Sequence, residues 1–384
     1  MDVRQRDRST RLQTPDSGPQ ALIRIALLFR LTPGYNEGVV RGLATYARPA
    51  KPWLFRFFER PEMPELRAFK PAAGVCCLTD PVIAATVRKL RFPLLNLGIK
   101  ELAPRLAQAG NDDHAIGAAA ARHFLDRGFA SFAYVALADS PAARLREHGF
   151  GSTLAALGHR VKCHFGLKLD AWLGALLRRT AIFAFNDFAA AQVADRCRDL
   201  GLRLPEDLAL VGADNTASLC LLAYPPLSSV AVAADRIGYT AGAMLDELLA
   251  GRHPASRFLS PLGVVTRQSS DLIAVEEPHV AAALRFIGEH AHQPIRVNDV
   301  SRAVPIARRT LEARFRSRLG RSLLEEIQRV HLERAKHLLL TTDWAMPRIA
   351  EASGFSDAKR FATVFGQVEG TTPLKFRRGE STKE

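Results

Sequence analysis

Two polar pairs stand where short apolar runs stop: Asn186–Asp187 after AIFAF, and Asp214–Asn215 after LALVGA. With Arg146 they make a set of carboxylate, amide and guanidinium groups. Carboxylate and guanidinium groups each bond two neighbouring hydroxyls in a fixed plane, so the set suits a polyhydroxylated ligand. Asp and Asn at strand ends also cap helices and shape turns, and that reading stays open for each residue taken singly.

A second chemistry lies near the C-terminus. In ARRTLEARFRSRL the apolar residues Leu311, Phe315 and Leu319 recur at i, i+4 and i+8, which turns Arg308, Arg309 and Glu312 outward. In a second basic stretch Phe361 and Phe365 face inward, leaving Lys359, Arg360 and Thr363 exposed. Arginine bonding guanine in bidentate fashion is the commonest specific base contact, and flanking cations position a protein on phosphates. Arg316 and Arg318 suit the phosphate role. Arginines on a solvated helix face can also do nothing specific.

These residues need elements to hold them. From Ala21, strands and helices alternate: ALIRIALLF, then the amphipathic GVVRGLATYAR, then PWLFRFFE and AAGVCCLT. The pattern continues through DDHAIGAAAARHFLDRG, FASFAYVAL, REHGFGSTLAALG, AIFAFND, LALVGADN and PPLSSVAV to RFLSPLGVVTRQS. Such alternation predicts doubly wound parallel sheets, whose ligands sit at the carboxyl ends of strands. Residues 297–376 hold two versions of one unit, a short helix, a tight turn and a basic second helix. Val300 pairs with Ile349, Ala303 with Ala352, Ile306 with Phe355 and Phe315 with Phe365, with one extra residue in the second copy. This is the pattern of tandem helix-turn-helix units, able to place two helices in successive major grooves about 34 Å apart. Between them LLEEIQRVHLERAKHLLLTT reads as one long helix with Leu324, Ile327, Val330 or His331, Ala335, Leu338 and Leu339 inward.

Net charge is +14, and the stretch 278–384 carries 19 Lys and Arg against 12 Asp and Glu, half of the excess in about a quarter of the length. That segment is the anion-binding candidate. Five cysteines without CxxC spacing imply reduced thiols and a cytoplasmic setting. No apolar run is long enough for a membrane span. A nucleophile elbow, a GxxxxGK[ST] loop and metal-spaced His/Cys clusters are all missing, so enzyme chemistry, metal and cofactor are not expected.

ERAKHLLLTTD, IAEASGFSDAKRFATVFGQVEGTTPLKFR and the closing TPLKFR resemble the DNA-binding domain of AraC/XylS transcription regulators. DDHAIGAAAARHFLDRG, AFND, RLPEDLALVGADN and PPLSSVAVAADRIGYTAGAMLDELL resemble the sensor core of the lactose-repressor and periplasmic sugar-binding family. The combination implies a two-lobed α/β periplasmic-binding-protein-like sensor plus an all-α tandem helix-turn-helix domain. The expected boundaries are a disordered tail at 1–20, a sensor at 21–272, a linker at 273–279 and a reader at 280–379. The lobes are expected at 21–128 with 232–252, and 129–231 with 253–272. Carried over residue by residue, the ligand-binding candidates are Asp112, Asp113, Arg146, Asp187, Asp214 and Asn215, then Tyr35 and Asn36 in the first loop. The base-reading candidates lie near Arg308, Arg309 and Glu312. Ala307 stands where the family commonly has Ser, so that helix lacks a cap. Ala313 and Thr363 stand where relatives often have a base-reading Arg, so the operator sequence does not carry over.

The expected function is sequence-specific regulation of transcription, as an activator working with RNA polymerase. Its partners would be operator DNA and a small sugar effector, xylose or a related pentose, and the expected assembly is a homodimer. A ligand-independent regulator with a degenerate sensor is the competing reading.

Overall fold

The computed structural model describes residues 22–378, apart from 32–33, 49–50, 60–62, 79–80, 99–101 and 276. The expected tail at 1–20 lies outside the described residues.

The strands in chain order are β1 (Ile23–Leu28), β2 (Trp53–Phe57), β3 (Ala73–Cys76), β4 (Leu94–Asn96), β5 (Ala107–Asn111) and β6 (Ser131–Ala136). They continue with β7 (Val161–Phe165), β8 (Thr180–Ala184), β9 (Leu208–Ala213), β10 (Ser228–Ala231), β11 (Arg257–Leu259) and β12 (Gly263–Val265). One sheet runs β11-β5-β4-β3-β1-β2 and is parallel throughout. The other runs β12-β10-β9-β8-β6-β7 and is parallel except where β12 meets β10. Every residue of β3, β8 and β9 is buried, as expected for strands covered by helices on both faces.

The chain crosses between the lobes three times: after β5, after β10, and between β11 and β12. The lobe boundaries differ from the sequence expectation in two places. Helix Asp113–Asp126, expected in the first lobe, packs on helix Pro141–Ala155 and against β8, β10 and β12 of the second. Strand β11, expected in the second lobe, pairs with β5 in the first. Both differences trace to β5. Its sequence AQAGN carries no apolar alternation, so neither the crossing that follows it nor the partner of β11 could be read from pattern.

The two packed helices touch through their backbones. A Cβ on Gly117 would lie 2.0 Å from the carbonyl oxygen of Arg146, and one on Gly149 would lie 2.0 Å from that of His114. Only glycine permits this approach, and the approach brings the start of one helix to the middle of the other.

The reader domain opens with helix Pro278–Glu289. The first unit comprises helices Val297–Ala303 and Arg308–Leu319, and the second Met346–Ala352 and Ala358–Glu369. Val300, Leu311 and Phe315 are fully buried in the first, and Ile349, Phe361 and Phe365 in the second. Of the paired alanines, Ala352 is half-buried and Ala303 is exposed. Both reading helices end on a left-handed glycine, Gly320 (φ 69°) and Gly370 (φ 65°).

Helix Leu323–Thr341 joins the units. Leu323 and Ile327 enter the first core, and Leu332, Ala335 and Leu339 the second. Leu324, expected inward, is 48% exposed, whereas Glu326 is only 2% exposed. The linker is also not a free tether. Leu272 and Ala274 pack against the sensor core, while Ile273 and Val275 pack against the reader core. An extended chain presents successive side chains to opposite sides, and here the two sides are two domains.

Candidate effector cleft and nucleic-acid interface

Arg146 is the centre of the cleft. Its side chain is 5% exposed. Nε donates to Asp113 Oδ1 at 2.8 Å, one terminal nitrogen donates to the Phe185 carbonyl at 2.6 Å, and that nitrogen also lies 3.4 Å from Asp214 Oδ1. The guanidinium sits 4.6 Å from the centre of the Phe185 ring. Burial opposes its charge, but Asp214 and Asp113 outweigh that and hold it protonated. Burial pushes the Asp214 carboxyl up, with Arg146 pulling the other way. Tyr35 brings in the first lobe. Its phenol is held well above its ordinary range by burial, then by Cys77, Asp113 and Asp214. The lobes meet at Gly34, where a Cβ would lie 2.4 Å from Thr216 Oγ1.

The other expected ligand residues are placed differently. Asp112 caps its helix, accepting from the Ala115 amide at 2.9 Å, and its own amide donates to Leu259 at the crossing. Asn36 donates to the Arg30 carbonyl and braces the loop before it. Asn215 accepts from Arg267 at 2.8 Å. Asp214 and Asn215 both adopt positive φ, 98° and 51°, a conformation that Asp and Asn tolerate better than most residues. Asn186 caps helix Asp187–Asp199.

Asp187, expected to face the ligand, is fully buried. One oxygen accepts from the Thr216 amide at 2.6 Å and the other from the Ser229 hydroxyl at 2.5 Å, so it holds the 214–216 turn from behind. Burial, then the charge of Asp214, pushes its carboxyl up to about 7. The folded protein therefore holds this proton more tightly than the unfolded chain does. The proton contributes stability below the unfolded carboxylate range, and that contribution is lost as pH rises towards 7. Asp187→Asn is expected to flatten the stability profile between about pH 4 and pH 7 by roughly 4 kcal/mol, measured by urea unfolding. Profiles that stay parallel across that range would rule the assignment out.

Phe185, Arg267, Thr216 and Gly34 were not singled out from the sequence. Phe185 had a signal, standing directly before the polar pair of AFND. Arg267 had none, because it reaches Asn215 across 52 residues of chain.

On the reader, Arg309, Arg316, Arg318, Lys359, Arg360 and Thr363 are all exposed, as their positions opposite Leu311, Phe315, Phe361 and Phe365 require. Arg308 is engaged on that surface, donating to Glu312 at 2.8 Å and Asn298 at 2.6 Å, which ties the two helices of the first unit together. Thr363 donates to the Lys359 carbonyl. Ala307 gives its helix no side-chain cap, whereas Asp357 caps the second reading helix through the Arg360 amide at 2.7 Å. Among the described residues, no group of three or more His, Cys, Asp or Glu could hold a metal ion. No described helix is long and apolar enough to cross a membrane.

Residues 121–270 match the periplasmic binding protein-like domain model, and 300–379 match a helix-turn-helix domain model. The chain is similar to the xylose operon regulatory protein of Escherichia coli strain K12, 29% identical over 92% of this chain and 96% of that protein. The protein of the same name from Haemophilus influenzae is 25% identical over 92% of this chain and 98% of its own. A solved structure of a xylose-binding transcription activator is 28% identical, covers 94% of this chain and all of its own, and superposes with a TM-score of 0.59. The chain is a transcription regulator that joins a periplasmic binding protein-like sensor to a helix-turn-helix domain. It is a regulator, not an enzyme, and its C-terminal domain binds DNA. Those relatives extend over both parts of the molecule. Similarity to a LacI-family regulator from Rhizobium etli, 22% identical with a TM-score of 0.53, covers 64% of the chain and shows the sensor fold alone.

Proposed function

We propose that the regulator binds D-xylose or a related pentose between its lobes and, when liganded, activates transcription. The observation that carries this is the Arg146 constellation. Two carboxylates fixed by one buried guanidinium, with the Tyr35 phenol approaching from the other lobe, make an array of planar acceptors and donors for adjacent hydroxyls. The relatives that share the whole architecture carry xylose in their names.

The protein works in the cytoplasm as a homodimer, so that four reading helices engage paired sites, and it recruits RNA polymerase there. Closure of the lobes on sugar and binding of operator DNA are two distinct events coupled by about 1–3 kcal/mol, or 5–150-fold in affinity. The test is a titration of duplex DNA from the protein's own upstream region, with and without D-xylose, L-arabinose, D-ribose and D-glucose. A pentose should tighten binding and raise the melting temperature. If every sugar leaves both unchanged while DNA still binds, the ligand-independent reading replaces this one.

A further inference from the structure

Sensor and reader are joined by more than the linker. The ion pairs between them among the described residues all end on Asp126, the last residue of helix Asp113–Asp126. Arg329 lies 2.5 Å from Asp126 Oδ2, while Arg321 lies 3.7 Å from Oδ1 and donates to the Asp126 carbonyl at 3.3 Å. Both arginines, on the reader, also bond Glu326, at 2.5 Å from Arg321 and at 2.8 and 3.0 Å from Arg329. Two carboxylates thus face two guanidiniums, and Glu326 at their centre is almost wholly buried.

The residues after Asp126 hold the linker. The Arg127 carbonyl accepts from the Ala274 amide at 2.7 Å, and a Cβ on Gly128 would lie 2.4 Å from Val275. Arg127 itself donates to Thr266, next to β12. The opposite end of this 14-residue helix carries Asp113 at the cleft, a span of roughly 20 Å.

We propose that Asp126 is the positioning residue that clamps the reader domain to the second lobe. When the cleft closes, second lobe and reader then move as one rigid body against the first lobe. The effector is thereby felt by the reading helices without touching them. A tether of the linker's length alone would let the reader pivot, and the ion cluster removes that freedom. Asp126→Asn keeps the shape and removes the charge, leaving Arg321 and Arg329 with an excess of positive charge at a half-buried seam. The part of this proposal that concerns the effector rests on the sugar-responsive reading above. The clamp itself does not.

The test uses the full-length protein with Cys163→Ser, spin-labelled at Leu157→Cys in the second lobe and Val368→Cys on the reader, both exposed sites. The parent should give one narrow distance distribution, and Asp126→Asn one at least twice as wide, with Asp126→Glu restoring the narrow form. In the unlabelled protein, Asp126→Asn should leave D-xylose affinity within twofold and reduce the D-xylose effect on operator affinity at least fivefold. A distribution as narrow as the parent's overturns the clamp. A normal effector response despite a broadened distribution overturns its role in transmission. If the parent ignores sugars, the effector reading has failed, and the distance measurement still decides the clamp.

Discussion

Arg146→Met is expected to abolish the proposed sugar binding and to lower stability by about 3–5 kcal/mol, the range for removing one partner of a buried ion pair. The size follows from what is left behind. Asp113 and Asp214 are each about one-fifth exposed, and Arg146 is the cation that both of them approach. Without it they face each other, and the Phe185 carbonyl loses its donor. Methionine fills the volume but supplies no charge. The variant should therefore regain stability as pH falls and the two acids protonate, whereas the parent should not gain to the same degree. Guanidinium unfolding at pH 5 and pH 7.5, beside calorimetry with D-xylose, checks both parts. A variant that binds sugar with unchanged affinity would remove Arg146 from the site, whatever its stability.

Arg309→Ala and Arg316→Ala should weaken operator binding in different ways. Both side chains are exposed on helix Arg308–Leu319, but Arg309 lies in its first turn and Arg316 in its last turn. The start of a reading helix is where side chains reach base edges, so Arg309→Ala should cost about 1–3 kcal/mol and relax preference at one base pair. Arg316→Ala should weaken all sequences alike and reduce the slope of log affinity against log salt by about one. Arg308, engaged by Glu312 and Asn298, should matter less for specificity than for holding the unit together. Binding measured on operator and scrambled duplexes at four salt concentrations separates these outcomes. Equal, small losses from both substitutions would mean that this helix face does not meet DNA.

Much of the molecule was legible without coordinates because local patterns report local burial. The tandem units showed themselves through apolar spacing, and Val300, Phe315, Ile349 and Phe365 hold the buried positions that spacing requires. Most strands announced themselves as apolar runs between glycines and prolines. Strand β5 did not, because AQAGN is buried by its neighbours and not by its own hydrophobicity, and the lobe boundaries went astray with it.

At the cleft, residue type nominated groups that the fold brings close together but did not assign each its role. Chemistry alone could nominate Asp112, Asp113, Asp187 and Asp214 equally. Backbone geometry separates them: one caps a helix, two grip Arg146, and one is buried behind a turn. Glu326 is the sharper case. On its own helix it reads as a solvated charge beside Leu324, and it is buried because the arginines that pair with it, Arg321 and Arg329, also reach Asp126, from another domain 200 residues earlier. Periodicity along the chain determined which faces are apolar and which are basic, since side-chain direction repeats with the helix and strand period. Which charges meet across the lobes and domains was decided only when the chain folded back on itself, because pairing depends on position in space and leaves no mark in local sequence.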